Sequence, residues 1–483
     1  MLLMKKLRQG LLKAALLAFA AAAAAGLCAC GGAGDGAGAE TAAAGGTDAA
    51  EEDFFTDESW EMWDTGGTGE LGTEDLLTMM QGPVDTEVVA LPADAGETVE
   101  APGAAERRSL HAGPRTDYFY AQLNESEQET YDLILAGLRD METGEIDLTI
   151  TDTDRVKEIV QYVLMEDPGL FWFYSYSLMI YSRGDEIVRV AAQFAYNCDE
   201  AERDRRQAAI DETVAEILAE APEGDDYAKI RYVYEYIVRN TDYDILADDS
   251  QNICSVFLNR VSVCQGYAFA AQYLLNRLGV DCVTVTGDTP GGPHAWNLVW
   301  SDGEPYYMDV TWGDPQFSAA EGGEETGAEG GEAAGEEVDA AEGGTDVSAR
   351  FDLVYNYFLV TGEELAHTHR PDAVFDLPAC TADADNYFIR EDLYMAEWDP
   401  ARFVEIAGRF IPEGEYTFSI KFPDRAVFEE ACDALFGGNR VWQFLDGIPG
   451  AGNLNAVSYS PPPDQAESLG MYVITLKFFN RAG

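Results

Sequence analysis

The sequence predicts an α+β fold, in which helices lead into strands instead of alternating with them. Three observations predict it. Apolar residues recur at helical spacing between 124 and 239 around a single aromatic and β-branched hairpin. Three apolar β segments follow one buried helix between 264 and 312, and beyond 415 a strand, a helix and a strand close the chain.

The chain opens on a segment with another purpose. Lys5, Lys6, Arg8 and Lys13 precede an uncharged run from Ala14 to Gly26, too short for the roughly 20 apolar residues of a spanning helix, which predicts a secretory signal. It ends in Leu27-Cys28-Ala29-Cys30-Gly31, which resembles the lipobox of bacterial lipoproteins. Cys30, with Leu27 three residues before it and a small residue just before it, is the expected lipidated residue; at Cys28, Leu27 would fall where a small residue belongs. Residues 1–29 are thus read as a lipoprotein signal peptide, and the expected location is extracytoplasmic, anchored to the membrane through lipid at Cys30. Residues 30–112, rich in Ala, Gly, Thr, Asp and Glu without periodicity, read as a disordered acidic tether.

Folded sequence begins with a mostly helical lead-in over 113–250. Asn124 and Glu127 form a capping pattern ahead of Tyr131, Ile134, Leu135 and Leu138. A helix over 154–164 precedes a hairpin of 170–181 and 186–194 around Arg183-Gly184-Asp185. Helices then cover 202–220 and 227–239, the second with Ile230, Val233, Tyr234, Ile237 and Val238 on one stripe.

The next helix differs in kind. Cys264 to Leu278 contains no acidic and one basic residue and ends at Gly279, which predicts a buried helix with a cysteine on its first turn. The unpaired N–H groups and the dipole there favour an anion, so the thiolate is stabilised before a substrate arrives. Gly266 is expected to leave room for a substrate backbone, and the Cys264 amide is a candidate oxyanion donor. Either Tyr243 or Gln265 would complete the oxyanion hole.

Three β segments, 280–286, 294–300 and 306–312, come next, and Asp302-Gly303 is a two-residue hairpin signal between the last two. That turn places His294 opposite Thr311 and Trp296 opposite Asp309. His294 and Asp309 then share one face as diagonal neighbours, about 7–8 Å apart or less at Cβ, within side-chain reach. A slip by one residue would separate them.

Val263-Cys264-Gln265-Gly266-Tyr267-Ala268, His294-Ala295-Trp296-Asn297 and Met308-Asp309-Val310-Thr311-Trp312 together resemble the transglutaminase-like superfamily of papain-type cysteine enzymes, and more narrowly its bacterial secreted or lipoprotein members. The resemblance implies a transglutaminase-like (papain-like cysteine protease) core over 251–392, with Cys264 as nucleophile, His294 as general base and Asp309 as the orienting carboxylate. It also implies acyl chemistry on peptide or carboxamide bonds through a thioester, ending in hydrolysis or amine transfer. The rival reading is a catalytically silent member serving as a binding or scaffold module. The expected partner is a protein or peptide substrate, with the cell envelope as a candidate source.

Other residues compete for supporting roles at the site. Asp314 is a second carboxylate, in the turn sequence Gly313-Asp314-Pro315. His367 and His369 form an H-x-H pair in a polar loop without carboxylates or thiols beside it, and the chain lacks CxxC pairs and zinc-ligand spacings, so no metal or cofactor is expected. The remaining cysteines, Cys198, Cys254, Cys282, Cys380 and Cys432, are odd in number and suggest no disulfide framework.

An acidic tract at 318–348, with ten acidic and no basic residues, reads as a disordered insertion close to the site. The formal net charge of −58 argues against nucleic acid as a partner. Residues 393–483 read as a small α+β module: an alternating strand at 415–422, a helix from Asp424 through Phe436, and a strand at 471–479.

Overall fold

The computed structural model describes residues 85–90, 109–314 except 246 and 248, and 353–480 except 462–465, 467 and 468. The stretch read as a signal peptide, Cys30 and the acidic tract 318–348 lie outside the described residues, as does the stretch read as a tether apart from 85–90 and 109–112. No helix among the described residues is long and apolar enough to cross a membrane.

A four-stranded sheet with helices around it comes first. Strand β1 (Asp85–Ala90) pairs in parallel along an edge of the hairpin described below, so part of the stretch read as tether contributes to the fold. Helix α1 (Glu125–Arg139) begins at the Asn124/Glu127 capping box, β2 (Ile146–Asp147) follows, and α2 (Thr153–Glu166) begins at Asp152. Strands β3 (Phe173–Arg183) and β4 (Glu186–Tyr196) form the expected hairpin, turning at Gly184 with φ +66°. The sheet order is β1-β3-β4-β2. Helices α3 (Glu200–Ala219) and α4 (Asp226–Asn240) start from Asp199 and Asp225 side-chain caps, which satisfy N–H groups that a first turn leaves open. The α4 stripe Ile230, Val233, Tyr234 and Ile237 is fully buried.

Two short parallel strands, β5 (Asp242–Tyr243) and β6 (Val261–Ser262), deliver the chain to α5 (Cys264–Arg277). Gly279, at φ +77°, takes the left-handed conformation that lets the chain leave the helix. Strands β7 (Cys282–Thr289), β8 (Gly292–Ser301), β9 (Glu304–Met308) and β10 (Arg370–Pro371) form a second sheet, ordered β10-β7-β8-β9. Helix α5 is tied to this sheet where Asn297 on β8 donates its side-chain amide to the Ala268 carbonyl at 3.0 Å.

The β8–β9 register is the expected one, with Ser301 opposite Glu304, Leu298 opposite Tyr307 and Asn297 opposite Met308. The strand stops earlier than the sequence predicts. Asp309 Oδ1 accepts the Thr311 and Trp312 N–H groups at 2.9 and 3.2 Å, bending the chain into a 3-10 turn at Thr311–Gly313. The pairs Trp296–Asp309 and His294–Thr311 therefore do not form, and the Asp309 N–H donates to Tyr357 O at 2.9 Å instead.

Beyond the core, helix α6 (Pro400–Phe410) precedes β11 (Thr417–Lys421), α7 (Arg425–Phe436), β12 (Ala456–Ser460) and β13 (Val473–Phe479). The strands form a sheet ordered β11-β13-β12. Helix α6 and strand β12 are additions to the sequence reading. Asp399-Pro400, a cap residue followed by proline at the first helical position, is the signal for α6.

Candidate functional site

Cys264 is the first residue of α5 and is partly exposed. The approach to it is held by serines. Ser262 Oγ contacts Ser255 Oγ at 2.6 Å and the Ser250 carbonyl at 3.0 Å, fixing β6 against the segment before it. Gly266 belongs to this packing and is not an opening for substrate. A Cβ there would overlap Ser262 Oγ and lie 2.7 Å from Ser255 Oγ and 2.8 Å from Ser250 O. The helix is held at its first turn by Tyr267, whose hydroxyl lies 2.9 Å from both Thr241 O and Asp314 Oδ2.

His294 reaches both ways from β8. Its Nε2 donates to Asp309 Oδ2 at 2.8 Å, and its ring is also hydrogen-bonded to the Cys264 side chain, which leaves Nδ1 as the atom facing the thiol. Asp309 accepts four hydrogen bonds: two from the turn N–H groups on Oδ1 and, on Oδ2, one from His294 and one from His369 Nε2 at 3.1 Å. Four donors saturate a buried carboxylate and fix its plane.

His369 is the residue that sequence reasoning placed elsewhere. It is fully buried, packed 4.9 Å from Trp296 and 4.7 Å from Trp312 between ring centroids. Its Nδ1 meets Thr368 Oγ1 at 2.9 Å, and Thr368 meets the Tyr357 hydroxyl at 2.8 Å. Sixty residues and the acidic insertion separate it from Asp309, and no local pattern announces the contact. Its neighbour in the H-x-H pair, His367, is exposed and packs on Gly470 instead.

The two imidazoles on one carboxylate are pushed in opposite directions. Burial pulls His294 down, but the charges of Asp309 and Cys264 outweigh it and raise the imidazole to about 10. Burial keeps His369 below the ordinary imidazole range despite its bond to Asp309, so it stays neutral and donates from Nε2. Burial also opposes the charge on Asp309, yet His294 and His369 hold its carboxyl well below the usual carboxylate range. At neutral pH the site therefore holds an imidazolium between the Cys264 sulfur and the Asp309 carboxylate.

A pH dependence of stability follows. A histidine raised to about 10 contributes stability that is complete below its unfolded value of 6.5 and is lost as pH rises through about 10. Asp309, held low, contributes stability that is complete above its unfolded value of 3.8 and is lost only as the pH falls through its lower folded value. The denaturant midpoint is expected to drop between about pH 7 and 10, and His294→Ala should flatten that slope. An equal slope in the variant would remove the ion-pair reading.

His294, Asp309 and His369 also have the composition of a metal site, with ligand atoms within 4.8 Å of one another. Their contacts at 2.8 and 3.1 Å are hydrogen-bond lengths. They are shorter than the separation of about 3.3 Å between ligand atoms around a tetrahedral zinc with bonds of roughly 2.0–2.1 Å. The residues are arranged to bond one another.

The other sequence candidates fall around this centre. Tyr243 lies beside Ser262 in the β5–β6 pair, two residues before Cys264, with its ring 6.2 Å from that of Tyr267. Gln265 is buried and donates its side-chain amide to Gln251 O at 3.1 Å. Asp314 is buried at the end of the turn and accepts the Tyr267 hydroxyl at 2.9 Å.

A helix starting with Cys, a strand carrying His and an Asp at the end of the next strand define the class: a transglutaminase-like α+β fold of the papain type. The model of the transglutaminase-like superfamily matches residues 212–310, a stretch that contains Cys264, His294 and Asp309, and the chain accordingly carries a transglutaminase-like domain. Human kyphoscoliosis peptidase is 28% identical over 121 residues, covering 22% of this chain and 18% of that protein. The mouse kyphoscoliosis peptidase is 27% identical over the same length and shares. The chain thus matches less than a fifth of the length of these relatives. A solved structure of a TGase is 17% identical with a TM-score of 0.21, covering 29% of this chain and 44% of that one.

Proposed function

We propose that this protein is a thiol acyl-transfer enzyme acting on peptide or carboxamide bonds. The observation that supports it most is the hydrogen-bonded series from Cys264 through His294 to an Asp309 saturated by four donors. In this reading the Cys264 thiolate attacks the carbonyl carbon, and the carbonyl oxygen becomes an oxyanion that accepts the Cys264 N–H on the open first turn of α5. His294 then gives its Nδ1 proton to the leaving amine or ammonia, and a thioester remains. Water or an amine, losing a proton to His294, attacks the thioester and releases the thiolate. Trp296 and Trp312 wall the imidazoles off from water, which strengthens the charges between them.

Product mass after incubation with peptides and a primary amine tests the reading. New termini mean hydrolysis of the peptide bond, ammonia release without cleavage means deamidation, and amine addition means transfer. No product of any kind, together with a Cys264 that alkylates no faster in the native protein than after denaturation, leaves the silent scaffold as the function. The name of the kyphoscoliosis peptidases favours hydrolysis.

The same reading places the enzyme outside the cytoplasm on a lipid at Cys30, motivated by the lipobox-like Leu27-Cys28-Ala29-Cys30. Detergent phase partitioning of the expressed protein is expected to move from the detergent to the aqueous phase on Cys30→Ser. An unchanged partition would exclude this anchor.

A further inference from the structure

Strand β11 is an edge of its sheet, and only part of that edge is covered. The Phe478 N–H donates to Tyr416 O at 2.8 Å. At a period of two, Tyr416, Phe418 and Ile420 then direct their backbone groups at β13, and Thr417, Ser419 and Lys421 direct theirs to the free side. Lys421 is satisfied there: its N–H donates to Leu393 O at 3.0 Å, and its carbonyl accepts the Met395 N–H at 2.9 Å.

The chain that supplies those two groups departs at once. Asp392, with φ +57°, turns it away into the one-turn helix Tyr387–Arg390. Thr417 and Ser419 are left with no backbone partner on that side among the described residues. A cavity of about 560 Å³, within the usual size of ligand sites, lies along them in place of a strand.

The opposite wall suits a side-chain-bearing chain. Tyr355 and Tyr387 stack at 3.7 Å with their planes 1° apart, and the Arg231 guanidinium lies 5.9 and 5.6 Å from the two rings. Arg239 and Lys477 line the cavity too, and among its lining residues Glu415 is the one carboxylate. Behind the wall, Arg231 and Arg239 share Glu235, at 2.7 Å each, and Arg231 also pairs with Glu391 at 2.8 Å. In a chain with 88 acidic and 30 basic residues, the lining of this cleft carries three cations and one carboxylate, and the carboxylates that pair with its two arginines lie outside the lining.

We propose that this cleft binds an extended acidic peptide of a partner protein, which adds as a strand beside Thr417 and Ser419. Backbone hydrogen bonds to the open edge would hold the peptide, as they do in other strand additions, and the aromatic stack and the cations would select its side chains. The inference does not depend on the acyl chemistry of the Cys264 site.

Fluorescence anisotropy with the full chain tests it, using two labelled peptides of equal length, one alternating Glu and Val and one alternating Lys and Val. The acidic peptide is expected to bind saturably and about tenfold more tightly than the basic one. Ser419→Pro, which removes an N–H from the open edge, should weaken it by about tenfold. Arg239→Glu, on a half-exposed side chain of the facing helix, should do the same and decides the matter if the proline variant fails to fold. Equal binding of the two peptides overturns the proposal, as does unchanged binding by folded variants. Binding that emerges only when residues 318–348 are deleted assigns the cleft to the chain's own acidic segment and also overturns it.

Discussion

Cys264→Ala is expected to abolish product formation, lowering turnover by about 10⁴-fold or more, which corresponds to roughly 5.5 kcal/mol of barrier. In the proposed reaction the sulfur is the atom that forms the thioester, and no other thiol among the described residues is placed on His294. The substitution should leave the fold in place, because Cys264 is partly exposed and α5 is held by Tyr267 and Asn297 independently of the thiol. Turnover of the peptide found in the product-mass assay measures the loss, and the thermal midpoint monitors the fold. An alanine variant with turnover within about tenfold of the parent would show that the thiol is not the nucleophile. His294→Ala, with the thiol present, should slow alkylation of Cys264 by iodoacetamide below pH 7.

Asp309→Asn is expected to lower turnover by about 10⁴-fold with little change in shape, because it reverses the proton pattern of the site. Four donors converge on the carboxylate. An asparagine keeps one acceptor oxygen. If that oxygen stays on the Thr311 and Trp312 N–H groups, the amide NH₂ opposes both imidazoles. His369 can respond by moving its proton to Nδ1, where Thr368 Oγ1 can accept it. His294 responding in the same way would carry its proton on Nδ1, the atom facing Cys264, and could no longer accept the proton of the thiol. The variant should also lose the imidazolium, so its pH–stability slope should resemble that of His294→Ala. A pH–rate profile and the denaturation slope therefore separate this account from simple unfolding, and retention of the parent slope with full turnover would exclude it.

Much of the fold was legible because it is local. The Asn124/Glu127 box, the Asp424 cap and the hairpins at Gly184 and Asp302-Gly303 depend on residues a few positions apart, and each is present. The end of β9 was less legible. Period-two patterning continues through Trp312 in the sequence, but the side chain of Asp309 competes for the N–H groups of the next turn and wins them from the sheet. Strand β1 leaves no mark in the sequence because the stretch around it has the composition of a tether, and its pairing with β3 is non-local. The packing at Gly266 is illegible in the sequence for a related reason: what lies against it comes from Ser250, Ser255 and Ser262, and a glycine does not say what approaches it.

By itself, the sequence determined the order of the chemical groups, the start of a buried helix at Cys264 and the register that brings β8 against β9. These follow from periodicity and turn chemistry, which act over a few residues. The tertiary structure alone decided that His369 completes the environment of Asp309, that Asp314 serves Tyr267, and that β11 keeps an open edge beside a cleft lined by Arg231, Arg239 and Lys477. Each depends on segments far apart in the chain being packed together, and a buried carboxylate or an unpaired strand edge acquires its surroundings only once that packing is complete.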